Sequence, residues 1–483
     1  MSLNPNGVDD GGMTARRLTS DSLLFGAAGA LGKALAVVTV PVLSRALGPN
    51  DYGTADLAIG FSGLATLLVS FAGDMSAARL RRDETTQEGR ARVLSSWIAA
   101  TGLISCLAAL LLLPWAGAIA GFVWDAPDEA DLAVLSIILV PVAATQAALA
   151  SVLRLVERPV AAAAVAVLDL MAQVGFAVLF VLMGAGPEGV LAGFIVGSVI
   201  GLAGATALAF PHLSAAPRLG VALRSVWLGA SFLPVGAIFV GTDYVVRYLL
   251  ANFAEASAVG HFAVAIRLAS PMLLVSAAFS MAWGPYGLGR RPGPATSRMF
   301  AAVFEVFGIG TVLASLFVGA MAPEIVTIVS GSEYLPAGQA LPGLVLAAGI
   351  SGTFFIVVTG AGIHGNTRAI PVSAVAGGVV QVLTTTLLVR DFGLVAVGVC
   401  ALLGRMTSLI ILWAVTRATL RVRMLPLGIV AVSGPVAVLL SVASTAPTDT
   451  VLLRGAIAVG VLLTAIIIAR SRRPLPDANQ GTT

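Results

Sequence analysis

Charged residues are scarce in this 483-residue chain: aspartate, glutamate, lysine and arginine together make up 11%, where a soluble domain carries roughly a quarter. Lysine occurs once, at Lys33. With 58% hydrophobic residues and a mean hydropathy of +0.97, the deficit excludes a water-soluble globular protein. Cysteine is nearly missing. Cys106 and Cys400 both lie inside apolar stretches and read as small packing residues, not as a disulfide or a metal site. The three histidines stand isolated, which leaves metal binding without support. No gap between apolar stretches has room for a soluble catalytic or nucleotide-binding domain, which needs roughly 50 residues or more. Gly26-Ala-Ala-Gly-Ala-Leu-Gly-Lys33 has the outline of a phosphate loop, but Ala27 stands where its first glycine belongs and Ala34 replaces the Ser/Thr. No cofactor and no covalent chemistry are expected.

What the chain does have is a rhythm. About fourteen apolar stretches fall near 21–43, 53–74, 94–115, 132–152, 160–183, 189–210, 226–250, 259–283, 300–321, 340–361, 370–389, 393–415, 425–444 and 451–469, each close to the roughly 20 residues of a membrane-spanning helix. The weakest boundary is 94–131, where Pro114 and Gly117 can split a span. Twenty-one arginines fall in one set of alternate gaps and in the tails, against three (Arg45, Arg390 and Arg454) in the other set. The positive-inside rule then puts both termini in the cytoplasm, with residues 1–20 and span one forming an uncleaved signal anchor. The net charge of +4 is spread over short loops facing an anionic leaflet, so no nucleic-acid partner is expected.

The two halves repeat one another. Tyr52-Gly-Thr-Ala-Asp-Leu-Ala-Ile59 matches Val259-Gly-His-Phe-Ala-Val-Ala-Ile266 at an offset of 207, and Gly189-Val-Leu-Ala192 matches Gly393-Leu-Val-Ala396 at 204. Six spans separate the copies, which gives both the same topology and a cavity between them. The expected fold is an all-α polytopic membrane protein of about fourteen helices, with two six-helix lobes around a central cavity. Its divisions are a cytoplasmic tail at 1–20, an N-lobe at 21–215, a C-lobe at 216–420, spans thirteen and fourteen at 421–470, and a cytoplasmic tail at 471–483. Such an architecture points to an alternating-access transporter.

Three blocks carry a family resemblance: Lys33…Val40-Pro-Val-Leu-Ser-Arg45-Ala-Leu-Gly48-Pro-Asn-Asp-Tyr52-Gly53, Asp243-Tyr-Val-Val-Arg247…Val259-Gly-His-Phe262-Ala-Val-Ala265-Ile-Arg267, and Val329-Ser-Gly331-Ser-Glu-Tyr334-Leu-Pro-Ala337. Together they resemble the polysaccharide-export flippases. These belong to the superfamily of multidrug and toxin extruders, oligosaccharidyl-lipid exporters and the peptidoglycan precursor flippase. The resemblance implies movement of undecaprenyl-pyrophosphate-linked sugar units from the inner to the outer leaflet of a bacterial cytoplasmic membrane. It also implies the bilayer, a polysaccharide polymerase and other export machinery as partners. The alternatives are a peptidoglycan lipid-precursor flippase and a multidrug extrusion antiporter. A cavity for cationic drugs wants acids or aromatics, and aromatics here reach only 6%.

An ionisable residue inside a span costs several kcal/mol unless a cavity or partner receives it, so each is a functional candidate. Asp243 and Arg247 stand four apart on span seven, hence on one helical face. They read either as a self-neutralising pair or as a cavity arginine oriented by an acid that itself binds a coupling cation. Arg267 on span eight can join Arg247 in a basic patch. A guanidinium fork matches the pyrophosphate that the resemblance implies, so Arg247 and Arg267 are the first candidates to hold it. Lys33 in span one and Arg45 at the outer edge follow, with snorkelling the competing reading for Arg45. Asp56 early in span two and Asp169 in span five join Asp243 as coupling-ion candidates, with hydrogen-bonded helix packing as the alternative. Arg405 on span twelve faces either the cavity or a loop carboxylate. Gly189, Gly193, Gly197 and Gly201 form an every-fourth stripe on span six that favours close helix packing within the N-lobe.

Overall fold

The computed structural model describes residues 10–124, 129–254, 257–290, 293–363 and 368–420, with the helix path alone over 10–38. The spans expected at 425–444 and 451–469 lie outside the described residues. Among the described residues every regular element is helical. The helices are α1 (Asp10–Ser70), α2 (Gly73–Asp83), α3 (Gln87–Leu112), α4 (Ala116–Trp124), α5 (Ala130–Leu155), α6 (Pro159–Leu182) and α7 (Gly186–Ala209). After them come α8 (Leu219–Ala230), α9 (Leu233–Phe253), α10 (Ser257–Leu288), α11 (Pro294–Ala320), α12 (Ala322–Ser330), α13 (Leu341–Ile363) and α14 (Ala369–Leu420).

Nine helical runs among these residues are long and apolar enough to cross a membrane. Two of them contain bends. In α1 the chain turns at Gly48, whose φ of 71° only glycine adopts readily, and Pro49 opens the next helix where its missing N–H is no loss. In α14 the bend falls at Gly393, with φ 50° and ψ −124°. With α1 and α14 each counted as two and α9 added, the helices retrace spans one to twelve in order. Two boundaries differ from expectation. Span seven does not begin at 226: Pro234 stands in the first turn of α9, and the preceding segment forms the separate helix α8. Span three does not stop at 115. Pro114 forces one tight turn at Leu113–Trp115, and α4 carries the helix on to Trp124.

Lipid-facing stripes are easily recognised. Val375, Val379, Leu383 and Leu387 stand four apart on α14 and are all exposed, Leu387 by 73%. Such stripes would drive aggregation in water, but they match acyl chains. Apolar burial gains little where lipid is as apolar as leucine, so helices must associate by close fit and polar contacts. The glycine stripe of α7 meets this need. A Cβ added at Gly193 or Gly197 would come within 2.2 Å of the Ala177 or Gln173 backbone nitrogen, and one at Gly201 within 2.6 Å of Asp169 Oδ1. Helix α6 therefore lies directly on α7.

The connections sort by charge onto two ends. The arginine-rich end carries α2 with Arg79, Arg81 and Arg82, the N-terminus of α3, and α8. There Arg81 donates to the Leu155 carbonyl, and Ser76 and Ser225 share a 2.8 Å hydrogen bond that seats α8 on α2. The arginine-poor end carries Gly48, α12 and the 3-10 turn Ser332–Gln339. It also carries Glu129, whose carboxyl is held above its usual range by burial and then by the charges of Glu188 and Asp51.

The apolar core is divided in the same way. One cluster joins Val40, Tyr52 and Leu57 of the first half to Leu250, Phe262 and Tyr334 of the second. Two others draw their spans from one half each: one around Trp97 and Leu153, on which α8 also packs, the other around Phe300 and Phe304.

Candidate functional site

Tyr52, Asp56 and Gly60 stand four apart on the second segment of α1, so one face presents all three. Opposite lie α9 with Arg247 and α10 with Phe262 and Arg267. Arg247 Nε donates to Asp56 Oδ2 at 2.8 Å, and Arg267 Nη2 donates to Asp56 Oδ1 at 2.8 Å. Arg267 Nη1 also donates to the Tyr52 hydroxyl at 2.6 Å. The Arg247 guanidinium lies 5.4 Å from the centre of the Phe262 ring, within cation–π range. Gly60 makes room for the arginine, since a Cβ there would meet Arg247 Cδ at 3.3 Å.

Asp56 is only 5% exposed, and the two guanidiniums compensate its charge from separate helices of the other half. Removing one partner of such a buried group typically costs about 3–5 kcal/mol, because a charge is left uncompensated. Two guanidiniums meet one carboxylate here, and Asp243 and Arg405 add one charge of each sign nearby, so the site keeps an excess positive charge. A cavity of about 110 Å³ opens beside it, lined by Thr39, Tyr52, Asp56, Leu170, Phe194 and Arg267. A second, of about 90 Å³, lies within the other half and takes in Asp243, Phe262, Ser351, Gln381 and Arg405.

The halves meet most closely toward the arginine-poor end. A Cβ on Gly260 would fall 1.9 Å from the Pro49 carbonyl oxygen, and one on Gly53 would fall 2.6 Å from Gly260 N. Gly53 and Gly260 hold equivalent positions in the internal repeat. Equivalent positions touch only where the axis relating the two copies passes between them, so that axis runs through this glycine contact. Around it Tyr334 Oη donates to the Ser44 carbonyl at 3.0 Å, and Arg45 Nη2 donates to the Ile328 carbonyl at 2.7 Å. His261 Nε2 lies 3.1 Å from the Glu333 carbonyl oxygen.

The candidates named from sequence separate accordingly. Arg247 and Arg267 come together, joined by Asp56. Arg247 does not pair with the Asp243 carboxylate as an intrahelical partner. Its Nη1 donates to the Asp243 backbone carbonyl at 2.9 Å, because the side chain reaches across to Asp56. Asp243 itself lines the second cavity together with Arg405. Arg45 is exposed and caps the last turn of α12, away from the triad. Asp169 accepts from Gln173 Nε2 at 2.9 Å, and Gln173 also reaches Ser198 at 3.1 Å, within the α6–α7 packing. The Lys33 side chain lies outside the described residues. Sequence reasoning missed Tyr52, Gly60 and Phe262 as parts of the site. The four-residue spacing from Tyr52 through Asp56 to Gly60 was the available signal.

Solved structures share this fold. A lipid II flippase MurJ in an inward closed conformation aligns over 93% of this chain and 99% of its own, with a TM-score of 0.67 and 13% identity. An inward-facing multidrug resistance MATE transporter of the MOP superfamily aligns over 80% of this chain and 94% of its own, at 0.59 and 13%. A MOP superfamily transporter from Pyrococcus furiosus, whose binding pocket is described as of reverse polarity, aligns over 84% and 95%, at 0.54 and 13%. Among curated proteins none matches the sequence. The family model described as polysaccharide biosynthesis protein matches residues 18–287, more than half of the chain. With two of its three motif blocks in that stretch and this fold around them, the chain belongs to the polysaccharide biosynthesis protein family.

Proposed function

We propose that this protein flips polyprenyl-pyrophosphate-linked oligosaccharide units across a bacterial cytoplasmic membrane by alternating access between two lobes, spans one to six and seven to twelve. The observation that carries the reading is the convergence of Arg247 and Arg267 on one buried carboxylate between the halves, beside a cavity. The excess positive charge suits a pyrophosphate, while the polyprenyl tail stays in the bilayer. Lys33 is a further cation on the same lobe as Asp56. Placing the arginine-rich end in the cytoplasm follows the positive-inside rule, which makes this state the one closed to the outside. Of the acids, Asp169 is the coupling-ion candidate, since its partner is the neutral Gln173 amide and Asp56 is occupied by arginines. A polymerase would take over the flipped unit. The second reading, a peptidoglycan lipid-precursor flippase, is favoured by the likeness to the lipid II flippase and needs the same anionic site.

The test is flipping of a fluorescent short-chain polyprenyl-pyrophosphate oligosaccharide in proteoliposomes. Wild type is expected to flip it, and Arg247→Ala or Arg267→Ala to lose at least about tenfold in rate, as removal of a charge-assisted partner implies. Export of a cationic dye with no flipping of any sugar unit would overturn the reading. A muropeptide-bearing lipid flipped in preference to other sugar units would favour the second.

A further inference from the structure

The geometry points to Asp56 as the residue that decides which anions the site accepts, acting as an internal stand-in for the cargo's phosphates. This rests on the pyrophosphate reading above. The two Asp56 oxygens engage separate guanidiniums, each at 2.8 Å, and the carboxylate is 5% exposed. It sits on α1, while both arginines come from the other half, so the contact exists only while the halves are held together at this level. An entering anion reaches Arg267 through the cavity that Asp56 and Arg267 line. To take both guanidiniums it must replace two charge-assisted hydrogen bonds at once. A diphosphate has oxygens on two linked phosphorus atoms and enough charge to gain by the exchange. A small monoanion offers only what Asp56 already supplies and gains nothing. Once displaced, Asp56 is a buried carboxylate without its partners, which favours separation of the halves there. Cargo binding and release of the closed end thus become one event, and an empty protein stays shut.

The test uses the full chain in detergent, with inorganic pyrophosphate and inorganic phosphate as probes in calorimetric titrations. Spin labels at Asn50→Cys and Ser332→Cys, both exposed on opposite halves, report the spacing at the arginine-poor end. Wild type is expected to bind pyrophosphate at least about tenfold more tightly than phosphate, and Asp56→Asn to bind both more tightly with the ratio narrowed to about threefold or less. Asp56→Glu restores the discrimination. Pyrophosphate lengthens the label distance in wild type, and Asp56→Asn lengthens it with no ligand present. The wild-type distance change keeps the proposal testable even if the variant folds poorly. Equal pyrophosphate binding by wild type and Asp56→Asn overturns the role of Asp56 and leaves the head-group reading standing. Binding by neither protein, while wild type still flips the lipid, overturns the head-group reading and this proposal with it.

Discussion

The two ends of the molecule are held in different ways. At the arginine-poor end one apolar cluster runs through both halves, two glycines lie backbone to backbone, and Tyr334 and Arg45 tie one half to the other. Toward the arginine-rich end the spans of each half form their own apolar cluster, with α8 packed on that of the first half. There α8 packs on α2, on α3 and on Phe71 of α1, although α8 precedes the first span of the second half. One end is therefore an interface between the spans of both halves, while at the other the spans keep separate cores and only α8 crosses to the first half. A short turn at 231–232 separates α8 from α9. In a bilayer, where apolar contact by itself gives little preference, the glycine fit and the polar links must supply the specificity of closure.

The comparison is broken most severely by filling the glycine contact. Gly260→Leu places a Cβ against the Pro49 carbonyl, where backbone cannot yield cheaply. Overpacking of this kind costs about 1–3 kcal/mol or more, and here it is paid only in the closed arrangement. The distance between labels at Asn50→Cys and Ser332→Cys is expected to lengthen, and transport to fall sharply. Gly229→Leu is the matched control. Its Cβ would come 2.2 Å from the Phe71 carbonyl oxygen, a comparable clash that lifts α8 off α1 and leaves the glycine contact between the spans untouched. The same label distance should then stay as in wild type. Equal lengthening by both variants would mean that the two ends do not differ as described.

How much of this could be read from the chain follows from what lipid demands. Backbone polar groups must be satisfied within each span, so hydropathy and arginine alternation trace twelve helices nearly one for one, and Gly48-Pro49 marks a bend. Pro234 was visible too. That it separates an independent helix from span seven depends on Gly229 and Ser225 finding a seat on the other half, which is a tertiary fact. In the site, Arg247 and Arg267 stood out because ionisable residues are rare in spans. Asp56 stood out for the same reason, but as a coupling-ion candidate and not as their shared partner. Helical spacing put Asp243 and Arg247 on one face, but periodicity says which residues share a face and not what lies opposite, and Asp56 lay 191 positions away.

A smaller effect is expected at Tyr334. Tyr334→Phe removes the donor to the Ser44 carbonyl and keeps the edge-to-face contacts with Tyr52 and His261, whose ring centres lie 6.1 and 5.8 Å away. One buried hydrogen bond contributes about 1 kcal/mol net, which corresponds to about a fivefold shift from closed to open. The label-distance distribution reads that shift directly. An unchanged distribution would show that the aromatic contacts alone hold this loop.

The smallest change sharpens the comparison by separating closure from cargo handling. Arg45 is exposed, and its Nη2 donates to a carbonyl in the last turn of α12, where a cation also interacts favourably with the helix dipole. Exposed contacts of this type contribute about 0.3–1 kcal/mol and weaken with salt. Arg45→Gln retains an N–H donor and loses the charge, so the ratio of closed to open should drop by about twofold and by no more than about fivefold, and wild type at high salt should approach the variant. Flipping should stay within about threefold of wild type, far from the loss expected for Arg267→Ala. A loss as large as that of Arg267→Ala would place Arg45 on the path of the anionic head group. The arginine-poor end would then be part of the cargo route and not only the clasp that closes it.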